Sequence, residues 1–126
     1  MKKQIINTKS APAPIGPYNQ ATKANNMLFI SGQIPADPKT GELITSSIED
    51  ETHMVMKNLK AILEEAGLTF DNVLKTSIFI SDMNNFSKIN EVYGSYFSGE
   101  YPARETVQVA RLPKDVNVEI SAIATF

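Results

Sequence analysis

The sequence predicts an α+β fold in which two amphipathic helices cover one face of a mostly antiparallel sheet. Two segments repeat apolar residues at steps of three and four between cap and stop residues, and the runs around them are short, β-branched and bounded by turn residues. The order is strands, helix, strand, helix, two strands, which places both helices on one side of one sheet. A length of 126 residues fits one domain over 1–126 with no linker.

Weak alternation from Lys3 to Asn7 predicts a first strand, followed by the proline-rich loop Ala11–Pro17. Tyr18 to Lys23 and Met27 to Ser31 flank Asn25-Asn26, residues that tolerate the left-handed backbone of a tight turn, so a β-hairpin is expected. A second turn, Asp37–Gly41, leads to Ser46-Ser47, either of which can cap a helix with Glu49 or Asp50 three residues on. That helix is predicted over 48–66: Ile48, Thr52, Val55, Leu59, Ile62 and Ala66 form one stripe, and Gly67 supplies the stop. Val73 to Ile80 reads as a buried strand. A second helix, capped near Asn84 or Asn85, should carry Phe86, Ile89, Val92, Tyr93, Tyr96 and Phe97 as far as Ser98-Gly99.

Glu105 to Ala110 and Val116 to Phe126 are the closing strands, joined by the turn Leu112–Asp115. In the last, Val116, Val118, Ile120, Ala122, Ala124 and Phe126 share a face opposite Asn117, Glu119, Ser121 and Thr125, with Ile123 an exception. The helices cover one face only. The other needs a cover, and another copy of the chain is the economical one, which predicts a homo-oligomer built through its sheets.

The chain is 42% apolar and 21% charged, with a net charge of −2 that gives no electrostatic reason to bind nucleic acid. No run is long enough for a secretory signal or a membrane span, and the absence of cysteine suits a reducing compartment, so the expected location is cytoplasmic. The sequence has no Gly-rich phosphate loop, nucleophile elbow or zinc-ligand spacing, and no metal or organic cofactor is expected.

The two arginines, Arg104 and Arg111, stand close together near the C-terminus, and the following strand carries one carboxylate, Glu119. A planar guanidinium grips a carboxylate through two parallel hydrogen bonds, a task lysine performs poorly. By position alone Arg104 reads first as a surface or interface ion-pair residue and second as a ligand clamp. Glu119 reads either as a solvated or interface strand residue or, under a covered sheet face, as a carboxylate of raised pKa suited to proton transfer. Arg111 reads as a turn or subunit contact. Tyr18 is a packing lid or a ligand cover, Ser31-Gly32-Gln33 a bulge or a place for backbone donors to approach a ligand, and Asn90 a structural helix polar residue or a site wall. His53 reads as solvated, and Met54 and Met56 as packing filler.

Four sets of residues together resemble the RidA (YjgF) family: Ala13-Pro14-Ile15-Gly16-Pro17-Tyr18; Phe29-Ile30-Ser31-Gly32-Gln33-Ile34-Pro35; Asp82-Met83-Asn84-Asn85-Phe86 with Ile89-Asn90; and Pro102-Ala103-Arg104 through Val109-Ala110-Arg111-Leu112-Pro113-Lys114-Asp115 with Val118-Glu119-Ile120. The match is collinear and nearly end to end. The resemblance implies a chorismate-mutase-like fold, a homotrimer with a central sheet barrel, and ligand clefts between subunits. It implies hydrolysis of 2-iminobutanoate, 2-iminopropanoate and related enamines to 2-oxo acids and ammonia, a detoxification of reactive metabolites released by pyridoxal-phosphate-dependent dehydratases.

Carried over by motif, Arg104 would clamp the substrate carboxylate and Glu119 would position the attacking water. Tyr18 would close the cleft, Ser31 and Gly32 would line it, Asn90 would support its wall, and the backbone at Glu105 and Thr106 would orient substrate. Many members have Ser-Cys where this chain has Glu105-Thr106. That departure bears on substrate preference. A carboxylate beside the clamp would compete for Arg104 unless, as in an extended strand, the two side chains face opposite ways. The alternative function is a binding or regulatory module for small 2-oxo acids; ribonuclease activity fits the acidic balance poorly.

Overall fold

The computed structural model describes residues 2–126 and shows one six-stranded sheet with two α-helices. The strands are β1 (Gln4–Ile6), β2 (Ala21–Ala24), β3 (Met27–Gln33), β4 (Val73–Ile80), β5 (Ala103–Gln108) and β6 (Val118–Thr125), in the spatial order β1-β2-β3-β6-β4-β5. All pairings are antiparallel except β4 with β5. The closing strands are therefore not neighbours: β6 inserts between β3 and β4, while β5 runs parallel to β4 at the sheet edge. Helix α1 (Ile48–Glu65) and the shorter α2 (Phe86–Gly94) lie between these strands in sequence.

The predicted hairpin forms, with Asn25 at φ 53° in its turn, although β2 begins at Ala21 rather than Tyr18 because Gln20 serves the preceding loop. The buried Gln20 side chain accepts from Thr8 N and donates to the carbonyls of Thr8, Ala11 and Pro12, which fixes the proline-rich segment ahead of Tyr18. For α1, Ser47 is the cap: its side chain accepts from Asp50 N at 3.0 Å, while Ser46 Oγ donates to the Asp50 carboxylate at 2.8 Å.

Helix α2 stops at Gly94, earlier than predicted. Tyr96 and Phe97 leave the helix to pack in an aromatic cluster with Phe70 and Tyr93, so their apparent helical spacing reflects a shared core rather than a continuous helix. A 3₁₀ turn (Met83–Asn85) precedes α2, and it is Asp82 whose side chain accepts from Asn84 N; Asn85 makes no capping bond. β6 is shorter than predicted at both ends, and β5 begins and ends two residues early, which brings Arg104 inside the strand.

One apolar cluster joins Val55, Leu59, Ile62 and Leu63 of α1 and Ile89 and Tyr93 of α2 to Leu28, Ile30, Ile78, Ile80, Val118, Ile120, Ala122 and Ala124 of the sheet. Both helices thus cover one sheet face, as predicted. Each buried methylene in that layer contributes about 0.8 kcal/mol of transfer free energy. The other face carries Phe29, 46% exposed, and Val107, 41% exposed, with the partly buried Phe79 and Ile123 between them.

Candidate active site

Sheet register assigns the key side chains to faces. Thr76 is buried under α2, and its β5 partner is Arg104, so Arg104 projects on the helix side of the sheet edge. Glu119 pairs with Phe79, whose neighbours Ile78 and Ile80 face the helices; alternation puts Glu119 on the opposite, uncovered face. Within one chain the two residues predicted to cooperate are not brought together.

Arg104 Nη1 donates to Asn90 Oδ1 at 2.6 Å, and the guanidinium carbon lies 5.1 Å from the Tyr93 ring centroid and 5.6 Å from that of Phe86. A cleft of about 680 Å³ opens there, lined by Arg104, Asn90, Glu91, Tyr93, Tyr101 and Pro102. Among the described residues Arg104 has no carboxylate partner within salt-bridge distance, which leaves donor edges of its fork available. Within one chain, Arg104 is thus not held in an ion pair among the described residues.

Glu105 points the other way. Its carboxylate accepts from Ser77 Oγ and meets Lys75 Nζ at 3.1 Å on the uncovered face, and these two contacts, the serine bond first, hold its pKa below the usual carboxylate range. It does not neutralise Arg104, as alternation along the strand predicted. Thr106 shares the Arg104 side of β5, and its hydroxyl is buried without a hydrogen-bond partner.

Glu119 sits against a bulge in β3. Ile30 pairs with Ala122 and Gln33 with Ile120, so Ser31 and Gly32 together oppose one residue of β6. A Cβ placed on Gly32 would lie 2.5 Å from Glu119 Oε2 and 2.8 Å from its carboxyl carbon. The missing side chain makes the space in which the carboxylate rests, so glycine is here for close approach and not for a left-handed backbone. Burial pushes the Glu119 pKa up, and no side-chain hydrogen bond compensates among the described residues.

Tyr18, 48% exposed, lines a second cleft of about 240 Å³ with Gly32, Gln33, Ile15 and Lys114. Ser31 Oγ donates to Asn19 O at 2.6 Å, which ties the bulge to the loop carrying Tyr18. Tyr18, Ser31 and Gly32, with Glu119 against Gly32, are one candidate half-site, and Asn90 with Arg104 is another, Thr106 lying on the same side of β5.

Arg111 is a turn residue, as predicted: it grips Asp115 through Nε at 2.6 Å and Nη2 at 3.2 Å. His53 departs from its expected solvated position, with Nδ1 2.8 Å from the Tyr96 hydroxyl and its ring packed on that of Tyr96. Met56 is buried core, as predicted, and Met54 lies half-buried beside His53. Sequence reasoning missed Tyr93 and Tyr101 as walls of the arginine cleft; the first was read only as helix core.

Among the described residues no helix is long and apolar enough to cross a membrane, and no group of His, Cys, Asp and Glu could hold a metal. The fold and the two half-sites define a two-layer α+β protein that presents an arginine cradle on one face and a glutamate shelf on the other. The chain belongs to the YjgF/RidA family, through a family model described as endoribonuclease L-PSP that matches residues 8–126. It is 57% identical over 122 residues to a RutC family protein of Pyrococcus horikoshii, covering 97% of each chain. It is 46% identical over 122 residues to the 2-iminobutanoate/2-iminopropanoate deaminase of Mus musculus, covering 97% of this chain and 90% of the mouse protein. Among solved structures, E. coli TdcF with bound serine superposes with a TM-score of 0.94 at 47% identity, covering 98% of both chains.

Proposed function

We propose that this chain hydrolyses small 2-imino acids, of the 2-iminobutanoate and 2-iminopropanoate class, to 2-oxo acids and ammonia, in clefts formed where two copies meet. The observation that carries this reading is the division of the site. An unneutralised arginine lies on one face and a desolvated, unpartnered glutamate on the other, so a second copy completes the set. The names of the mouse relative and of reactive intermediate deaminase A from Arabidopsis thaliana, 45% identical over 126 residues, support the reaction class.

In this mechanism Arg104, braced by Asn90, holds the substrate carboxylate through paired hydrogen bonds and sets the adjacent imine carbon opposite Glu119. The glutamate, with its proton affinity raised by burial, accepts a proton from water as the oxygen bonds to that carbon. That proton passes on to the imine nitrogen, giving an amino-alcohol; the carboxylate then takes the hydroxyl proton and delivers it to the amino group, which leaves as ammonia as the carbonyl forms. Tyr18 excludes bulk water. Gly32 and Ser31 carry the backbone bulge that lines the cleft, and the main chain at Glu105 and Thr106 orients the ligand. The chemistry needs an aligned water and no cofactor. On this reading the chain works in the cytoplasm as a homotrimer, next to pyridoxal-phosphate-dependent dehydratases that release such imines.

The test couples the purified protein to a threonine dehydratase and traps residual imine with semicarbazide. A fall in trapped product is expected, and Arg104→Ala should abolish it while leaving the oligomer intact. No fall with the parent chain would sink the proposal. The bound serine of TdcF favours a second reading, a module that binds small amino or 2-oxo acids without turning them over. Glu119→Gln separates the two, because hydrolysis needs that carboxylate and carboxylate binding does not.

A further inference from the structure

We propose that Tyr93, assisted by Phe86, is a positioning residue that holds the Arg104 guanidinium in its carboxylate-gripping orientation. The inference rests on the reading of Arg104 as the clamp.

Phe86, Asn90 and Tyr93 stand at i, i+4 and i+7 of α2 and so share the face turned toward β5. All three meet the same guanidinium: Asn90 through one hydrogen bond at 2.6 Å, the rings of Tyr93 and Phe86 at 5.1 and 5.6 Å. Tyr93 is itself fixed, at 3% exposed, with its hydroxyl 2.7 Å from Thr76 Oγ1. Thr76 is the residue of β4 that pairs with Arg104. The contacts thus close a ring in which Arg104 pairs with Thr76 along the sheet, Thr76 pins the Tyr93 hydroxyl, and the Tyr93 ring steadies the arginine that Thr76 adjoins.

A long, exposed arginine would otherwise sample many rotamers and lose that freedom on binding. The aromatic faces and Asn90 restrict it beforehand. The rings attract the cation without a lone-pair acceptor, and Asn90 takes up one N–H of the guanidinium, so the other donors of the fork stay open to a ligand.

Because the chain has only two arginines, its arginine Nε–H NMR spectrum should hold two side-chain signals, assignable with Arg111→Lys. In the ligand-free parent the Arg104 signal should be ring-current shifted relative to Arg111. Tyr93→Phe keeps the face and should preserve the shift, while Tyr93→Leu should abolish it and weaken binding of 2-oxobutanoate, a stable carboxylate probe, by about tenfold. Should Tyr93→Leu not fold, Phe86→Leu should reduce the shift and weaken binding about threefold. An Arg104 signal unmoved by the variant that folds, or equal weakening by Tyr93→Phe and Tyr93→Leu, would overturn the proposal. A parent chain that shows the shifted signal yet binds no 2-oxobutanoate would instead count against the clamp itself and leave the positioning role standing.

Discussion

Gly32 and Glu119 form a pair in which one side chain can lie where it does because the other is missing. Gly32→Ala puts a methyl 2.5 Å from the carboxylate tip, the most mobile part of the glutamate, so the chain should fold with nearly unchanged melting temperature while the carboxylate is displaced. The expected outcome is loss of imine hydrolysis by at least about tenfold, with 2-oxobutanoate binding retained; full activity in the semicarbazide assay would show that the shelf is not used. Glu119 also predicts the pH profile. Since burial raises its pKa, hydrolysis in the semicarbazide assay should fall as pH drops through a carboxylate titration lying above the ordinary range. Glu51 is a contrasting case: 1% exposed, it has one oxygen bonded only by Asn117 at 3.3 Å and the other unpartnered, and burial raises its pKa. A raised carboxyl pKa means that the folded chain holds the proton more tightly than the unfolded one. The contribution is full below the unfolded pKa and is lost as pH climbs through the folded one. Glu51→Gln cannot ionise, so its stability relative to the parent should be higher at pH 8 than at pH 5 in urea unfolding; parallel pH dependences would refute this. At this scale the sequence made Arg104 and Glu119 conspicuous as residue types. Their assignment to opposite faces required knowing that β5 pairs in parallel with β4, which no local pattern encodes.

Helix α1 and strand β4 were legible because their signals are local. Ser47, the apolar stripe and Gly67 mark α1, and a β-branched run bounded by turns marks β4. Ser47→Ala should cost about 1 kcal/mol by removing the acceptor for Asp50 N, measurable as a lower urea midpoint. An unchanged midpoint would mean that Ser46 substitutes. The end of α2 was not legible, since Tyr96 and Phe97 keep helical spacing while packing from outside the helix. The turn before β6 holds a feature invisible in composition: Lys114 and Asp115 both adopt positive φ, 55° and 57°, beside the Arg111–Asp115 pair. Lys114→Gly should relieve the side-chain strain of that backbone and raise stability by about 0.5–1 kcal/mol.

At the scale of the molecule, the uncovered sheet face was foreseen from the polar alternation of the last strand, and it is there, with Phe29, Val107, Phe79 and Ile123 beside the Lys75–Glu105 pair. Sedimentation at micromolar concentration should give an oligomer, three copies on the proposed reading; a monomer would leave each half-site alone. On the proposed reading, the placement of Arg104 and Glu119 on opposite faces makes activity a property of neighbouring chains rather than of any one of them. If Arg104→Ala and Glu119→Gln chains, each inactive alone, are unfolded together in equal amounts and refolded, about a quarter of the junctions will join an intact arginine to an intact glutamate. Two dead proteins should thereby yield a living mixture.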